Sequence, residues 1–246
     1  LIHEAWINKY LNREPAPTTV WKFMKSEQLT LMLHALTIIS ATPLNCAESC
    51  LAIDSSGFRT SSYSDWFGEK HRYVKYNEWL KLHIIAGVST HVIANAVVTT
   101  KNVGDNVEFM PLLDGVLKYF KVRKVVADKG YQARNNYSYC AKHDIQLFVP
   151  FKCNSTGKAK GSMAWSQAYS YAMSNPDEFA KEYHIRSNVE TIFHQMKATQ
   201  GETIRSKLAV TQTNELYLKV IVHNIRMLIQ VFAESKCLPE FKPLLE

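Results

Sequence analysis

The chain has 246 residues, 46% hydrophobic and 21% charged, and carries a net charge of +7. That length buries a sizeable core, as one large domain or one domain with a helical appendage, and 11% aromatics excludes wholesale disorder. The apolar stretch Leu29 to Ser40 falls well short of the roughly 20 residues a bilayer needs, and no basic segment leads into an apolar core at the N-terminus, so neither a membrane partner nor a signal peptide is expected.

In chain order, Thr18 to Ile39 reads as a helix with Thr18 or Thr19 as cap and Phe23, Leu29, Leu33, Leu36 and Ile39 near helical spacing. Ser49 to Ile53 reads as a strand ending at Asp54, with Ser55-Ser56-Gly57 as a turn. Trp79 to Ala86 and His91 to Thr99 alternate apolar and polar residues around Gly87-Val88-Ser89-Thr90, which predicts a hairpin. Asn106 to Tyr119 reads as a helix capped by Asp105, and Val122 to Ala127 as a buried strand ending at Asp128. Tyr131 to His143 follows as helix, Ile145 to Val149 as strand, and Lys152 to Gly161 as a polar loop. Two long helices close the chain, Asp177 to Thr199 and Gln212 to Ala233, the second with Leu216, Val220, Ile225, Leu228 and Phe232 on its apolar side. This order predicts a mixed α/β sheet flanked by helices, with a short helical N-terminal preface.

The positive charge is concentrated. Lys118 to Lys160 holds ten basic residues and two acids, a net +8, so the remainder nets −1. A concentrated positive field suits a polyphosphate partner, and a solvated basic surface is the plainer alternative. Five scattered cysteines suit a reducing compartment, and Cys46-x3-Cys50 has no second Cys/His pair at a zinc-like interval. The chain opens on Leu1 instead of Met, as a processed or incomplete chain would.

Three acids sit where chemistry would place them: Asp54 and Asp128 at strand ends, and Glu190 on a late helix. Strand ends line the ligand crevice of open sheets, and clustered carboxylates persist where a hard cation such as Mg2+ or Mn2+ neutralises them. Taken singly, each is also an ordinary turn or surface residue. At roughly 100° per residue, Tyr183, Arg186, Glu190, His194 and Lys197 share a stripe of about 80° beside an apolar face. Arg186 and Glu190 are also a plain i,i+4 ion pair.

Tyr183-x2-Arg186-x3-Glu190-x6-Lys197 matches the Y-R-E-K signature of DDE transposases of prokaryotic insertion sequences. Ile53-Asp54-Ser55-Ser56-Gly57-Phe58 resembles that family's first aspartate block, and Val125-Val126-Ala127-Asp128-Lys129-Gly130-Tyr131 its second. The resemblance implies a ribonuclease-H-like catalytic domain over 46–246 and a helical segment over 1–45, a remnant of a DNA-recognition domain. It implies two Mg2+ ions (Mn2+ as substitute) on Asp54, Asp128 and Glu190, with Tyr183, Arg186 and Lys197 gripping DNA phosphates. Lys129 and Arg134 join that set from the basic window. The activity implied is cleavage and strand transfer at transposon ends by in-line attack, by a homodimer on transposon-end and target DNA in a prokaryotic cytoplasm, associated with the nucleoid. A nuclease that cuts without joining, or a catalytically inactive DNA-binding derivative, are the alternatives. Sixty-one residues separate Asp128 from Glu190, too few for the large β-rich insertion of some relatives.

Overall fold

The structure, a computed structural model, describes residues 8–9, 12–60, 79–235 and 240–241. Five strands form one mixed sheet in the order β3-β2-β1-β4-β5. β1 (Cys50–Arg59), β2 (Trp79–Gly87) and β3 (Ile93–Thr100) are antiparallel neighbours, while β4 (Lys124–Ala127) and β5 (Gln146–Phe148) continue parallel to β1 on its other side. With helices on both faces, this is the ribonuclease-H-like α/β arrangement expected from the sequence.

Helices cover both faces because both faces of the sheet are apolar. On one side Leu51, Ile53, Ile85, Val125 and Ala127 meet α3 (Phe109–Leu117) and α4 (Arg134–Lys142) through Phe109, Leu112, Leu113, Val116 and Tyr137. On the other side Ala52, Phe58, Leu82, Ile84 and Val126 meet α2 (Glu27–Ala41), α7 (Ser187–Gln200) and α8 (Ala209–Ser235). Val189, Ile192, Phe193 and Met196 of α7 are all buried there, each worth about 1.5–3 kcal/mol of gross burial. That apolar anchoring fixes where the polar residues of α7 stand.

β1 does not end at Asp54. It pairs with β2 without a break out to Arg59 opposite Trp79, so Ser55-Ser56-Gly57 is strand and not turn. The turn-like composition has another cause. Both serine hydroxyls bond side chains across the sheet surfaces, and at Gly57 a Cβ would stand 2.9 Å from the Trp79 ring. Glycine here answers a close approach, not a bend.

Other boundaries differ as well. The expected first helix is two, α1 (Pro17–Met24) and α2, separated at Lys25-Ser26 where Ser26 is extended. Ala16 precedes α1, with Pro17 at its first position, so neither Thr18 nor Thr19 caps it; Phe23 and Leu36 are exposed. The helix expected from Asn106 is a single helical turn, Asp105–Val107, followed by α3, and Asp105 caps nothing. Lys129–Tyr131 is likewise a turn detached from α4. The helix expected over Asp177 to Thr199 is also two, α6 (Pro176–His184) and α7, and α5 (Met163–Ser174), unforeseen, precedes them. Around Ile185-Arg186 the bonds run three residues apart, Arg186 N to Tyr183 O and Val189 N to Arg186 O, both 3.0 Å. Two helices therefore fill the interval between β5 and α7.

Among the described residues the longest apolar element is α8, not Leu29 to Ser40. By length and composition alone it could cross a membrane. Its polar residues Asn214, Lys219, His223 and Asn224 are buried and each bonds another element, so the helix serves the core. Ile225, expected on the apolar side, is exposed. Among the described residues Cys46, Cys50, Cys140 and Cys153 are free thiols; Cys237 lies outside them.

Candidate active site

Parallel pairing of β1 and β4 matches Ile53 with Ala127, which sets Asp54 and Asp128 side by side, about 5 Å apart at strand spacing. Asp128 follows the last residue of β4 with extended backbone. Asp54 lies mid-strand on the face covered by α7. Arg186, immediately before α7, donates from Nη1 to Asp54 Oδ2 at 2.9 Å and from Nη2 to Glu190 Oε1. Its guanidinium thus bridges two of the three acids. The Ser55 amide donates to Asp54 Oδ1 at 2.8 Å. Two residues further along β1, Lys197 donates to Ser56 Oγ at 2.7 Å and stands 5.3 Å from the Phe58 ring centre. Tyr183, at the end of α6, lies with its ring 5.8 Å from the Arg186 guanidinium.

The Y-R-E-K residues therefore converge on β1 although the helix is broken between Tyr183 and Glu190. α7 is closed by Gly201, whose φ of 81° suits glycine and whose amide bonds Lys197 O. The buried Lys219 ammonium then caps the free carbonyls of Gln200 and Gly201 at 2.7 and 2.8 Å. His194, on the expected stripe, is exposed, and its side chain makes no hydrogen bond among the described residues. Lys129 is exposed next to Asp128. Arg134 turns elsewhere: it stacks on Trp165 at 4.4 Å and donates to Lys158 O at 3.3 Å, holding the 152–161 loop to α4.

Electrostatics mark Asp54 as the unusual acid. Burial pushes its pKa up to about 6, and the charges of Asp128 and Glu190 push the same way, against the Ser55 amide and Arg186. For Arg186, burial acts to lower the pKa, but Asp54, Tyr183 and Glu190 outweigh it and raise it. The pair thus favours the guanidinium charge without rescuing the carboxylate. One cation is shared between two acids, and Asp54 is the better buried of them, 18% exposed against 57% for Glu190. Burial also raises Tyr183, with Arg186 opposing.

Below the sheet is a network that the sequence did not reveal. Asp105 accepts from Ser55 Oγ at 2.8 Å and pairs with Lys81 at 2.6 Å, with His83 Nδ1 at 3.6 Å. His83 is fully buried, bonds Thr99 Oγ1 at 2.9 Å, and burial lowers its pKa to about 4, which leaves it neutral at pH 7. Asp105 looked like a helix cap, and only the β1–β2 register reveals its true partners. By fixing Ser55, this network fixes the strand that carries Asp54.

The donor set suits a hard divalent cation: three carboxylates and no nitrogen or sulfur, with Asp54 held in a buried position that penalises its charge and Asp128 and Glu190 adding to that penalty. Among the described residues no three such side chains stand in ligating geometry, because Arg186 draws Asp54 and Glu190 onto its own guanidinium.

The family described as "Transposase DDE domain" matches residues 45–225, most of the chain. The chain belongs to the DDE transposase family. Solved structures are similar at low identity. A piggyBac transposase synaptic complex with hairpin DNA is 11% identical over 76% of this chain and 48% of its own, with a TM-score of 0.44. The catalytic core domain of BIV integrase is 8% identical over 70% of this chain and 95% of its own, with a TM-score of 0.30. A Drosophila P element transposase strand transfer complex is 12% identical over 97% and 78%, with a TM-score of 0.30. This DDE transposase chain spans about half the length of the piggyBac chain.

Proposed function

We propose that this family member is an active DNA transposase of the prokaryotic insertion-sequence type, cutting DNA strands and joining their ends to a target by in-line phosphoryl transfer. One observation carries the reading: residues from three distant stretches, at 54, 128 and 183–197, come together around one carboxylate of raised pKa. Asp54, Asp128 and Glu190 are the ligands for divalent metal, Mg2+ or Mn2+, two ions when loaded. When bound, the metal supplies Lewis acidity and lowers the pKa of an attacking water or 3′-hydroxyl.

The protein's own groups do the rest. Arg186 exchanges carboxylate for phosphate as DNA arrives, and Lys197 holds a second phosphate two residues along β1. Tyr183 orients the guanidinium, and Lys129 contacts the strand beside Asp128, while Arg134 contributes charge instead of a direct contact. Synapsis of two ends requires a homodimer on DNA, in a prokaryotic cytoplasm at the nucleoid. The segment 1–45 is what remains of an end-recognition unit ahead of a catalytic domain over 46–246.

A catalytically inactive DNA-binding derivative is the second reading, favoured by the Arg186 bridge that keeps two acids from ligating geometry. Nicking of supercoiled plasmid in Mn2+ separates the two. An active enzyme nicks, and Asp54→Asn or Asp128→Asn abolishes nicking while DNA affinity stays within a few-fold. Full activity in either variant removes the assignment, and an inert wild type that still binds DNA establishes the derivative.

A further inference from the structure

β1 continues past the acids toward a second surface. Arg59, its last residue, is joined by the segment after α7: Arg59 N donates to Glu202 O at 3.1 Å and Ile204 N to Arg59 O at 2.7 Å. The chain then turns under Glu215, whose carboxylate accepts the amides of Arg205 (3.0 Å) and Ser206 (2.9 Å). That fixes the loop 205–208 opposite α1, which is itself tied to α8 by Asn214 donating to Met24 O at 2.9 Å.

Between them runs a groove of about 700 Å³. Its floor is apolar, with Val20, Met24 and an exposed Trp21 and Leu208. Its rim is cationic. Lys25 lies 3.1 Å from the Trp21 ring centre, and Arg205 and Lys207 are exposed. Among the described residues no acid lines the groove. The nearby acids are engaged, Glu215 with loop amides and Glu202 with Arg59 at 3.6 Å.

Arg59 is five residues beyond Asp54, about 17 Å along an extended strand, which equals about five base-pair steps of duplex at 3.4 Å per step. Lys197, held at Ser56, stands between. The bridge between Arg59 and Thr203 is parallel, so Arg205 and Lys207 continue past the end of β1, away from the acids. We propose that this groove is a docking surface for the sugar–phosphate backbone of duplex DNA, beyond Arg59 and so more than about five base pairs from the phosphate held at the acids. Arg205 and Lys207 take phosphates there, and Trp21 and Leu208 pack against deoxyribose. The proposal rests on the reading that the acids act on DNA, and it adds the contact that sets where the flanking duplex lies.

The test is the salt dependence of affinity for a fluorescein-labelled duplex, read by anisotropy on the full chain. Trp21, Arg205 and Lys207 are exposed, so their replacement leaves the core intact. Arg205→Ala/Lys207→Ala should make the slope of log affinity against log salt about two units shallower, and Trp21→Ala should weaken binding with the slope unchanged. An unchanged slope and affinity in these variants, while Lys197→Ala still lowers the slope, overturns the groove and leaves the DNA reading standing. No salt-dependent duplex binding by the wild type overturns both. If the variants instead lose self-association in sedimentation and keep their DNA slope, a second copy of the chain covers the groove and the proposal falls.

Discussion

Replacing Asp54 by Asn should make the metal-free protein more stable at pH 8. In the folded chain the Asp54 pKa is about 6, against an ordinary value of 3.8, chiefly because burial penalises the charged form. Between those values the folded state binds more protons than the unfolded one, so stability falls as pH rises from about 4 to 6. The shift of roughly two units corresponds to a cost of about 3 kcal/mol above pH 6. With the carboxylate only 18% exposed, solvent screens little of that cost. Asn removes the charge but sets an amide against Arg186, which returns part of the gain, so the expected net is about 1–3 kcal/mol. For a chain of this size that raises Tm by roughly 2–12 °C. The assay is thermal unfolding in EDTA at pH 8.0 and pH 4.0, where the difference should shrink toward zero at the lower pH. An Asn variant less stable than wild type at pH 8, or a difference independent of pH, would refute the electrostatic account of this site.

The same geometry carries two further expectations. Arg186→Ala removes the cation that bridges Asp54 and Glu190, so calorimetric Mn2+ affinity should rise about tenfold or more while the salt slope for DNA falls; a weaker Mn2+ affinity would mean that Arg186 supports the ligands and does not compete for them. Mn2+ binding to the wild type should weaken about tenfold for each unit of pH below about 6, where Asp54 takes up its proton; a binding curve flat down to pH 4.5 would exclude Asp54 as a ligand.

How much of this was legible in the sequence depended on the kind of signal. The hairpin over Trp79 to Thr99 and the strand before Asp128 were readable because period-two alternation and a buried apolar run are local properties. The Y-R-E-K spacing was readable because it is a motif, although the single 80° stripe presupposes a helix that breaks at Ile185-Arg186. Ser55-Ser56-Gly57 was misread since turn composition and a strand whose side chains are spent on Asp105, Lys197 and Trp79 look alike until the register with β2 is known. Asp105 was misread for the same reason: its partners on β1 and β2 are some 20 to 50 positions away in sequence. The α1–loop groove depends on Asn214 and Glu215 drawing remote segments together, which no local pattern encodes.

The most direct test of the central claim is the anomalous signal from crystals soaked in Mn2+, with the wild type and Asp128→Asn measured side by side. The account predicts one or two peaks coordinated by Asp54, Asp128 and Glu190 in the wild type, with Arg186 displaced from the carboxylates, and a lost or weakened peak in the variant. A fully soaked crystal, with and without bound DNA, that shows no peak there and Arg186 still bridging Asp54 and Glu190 would contradict it.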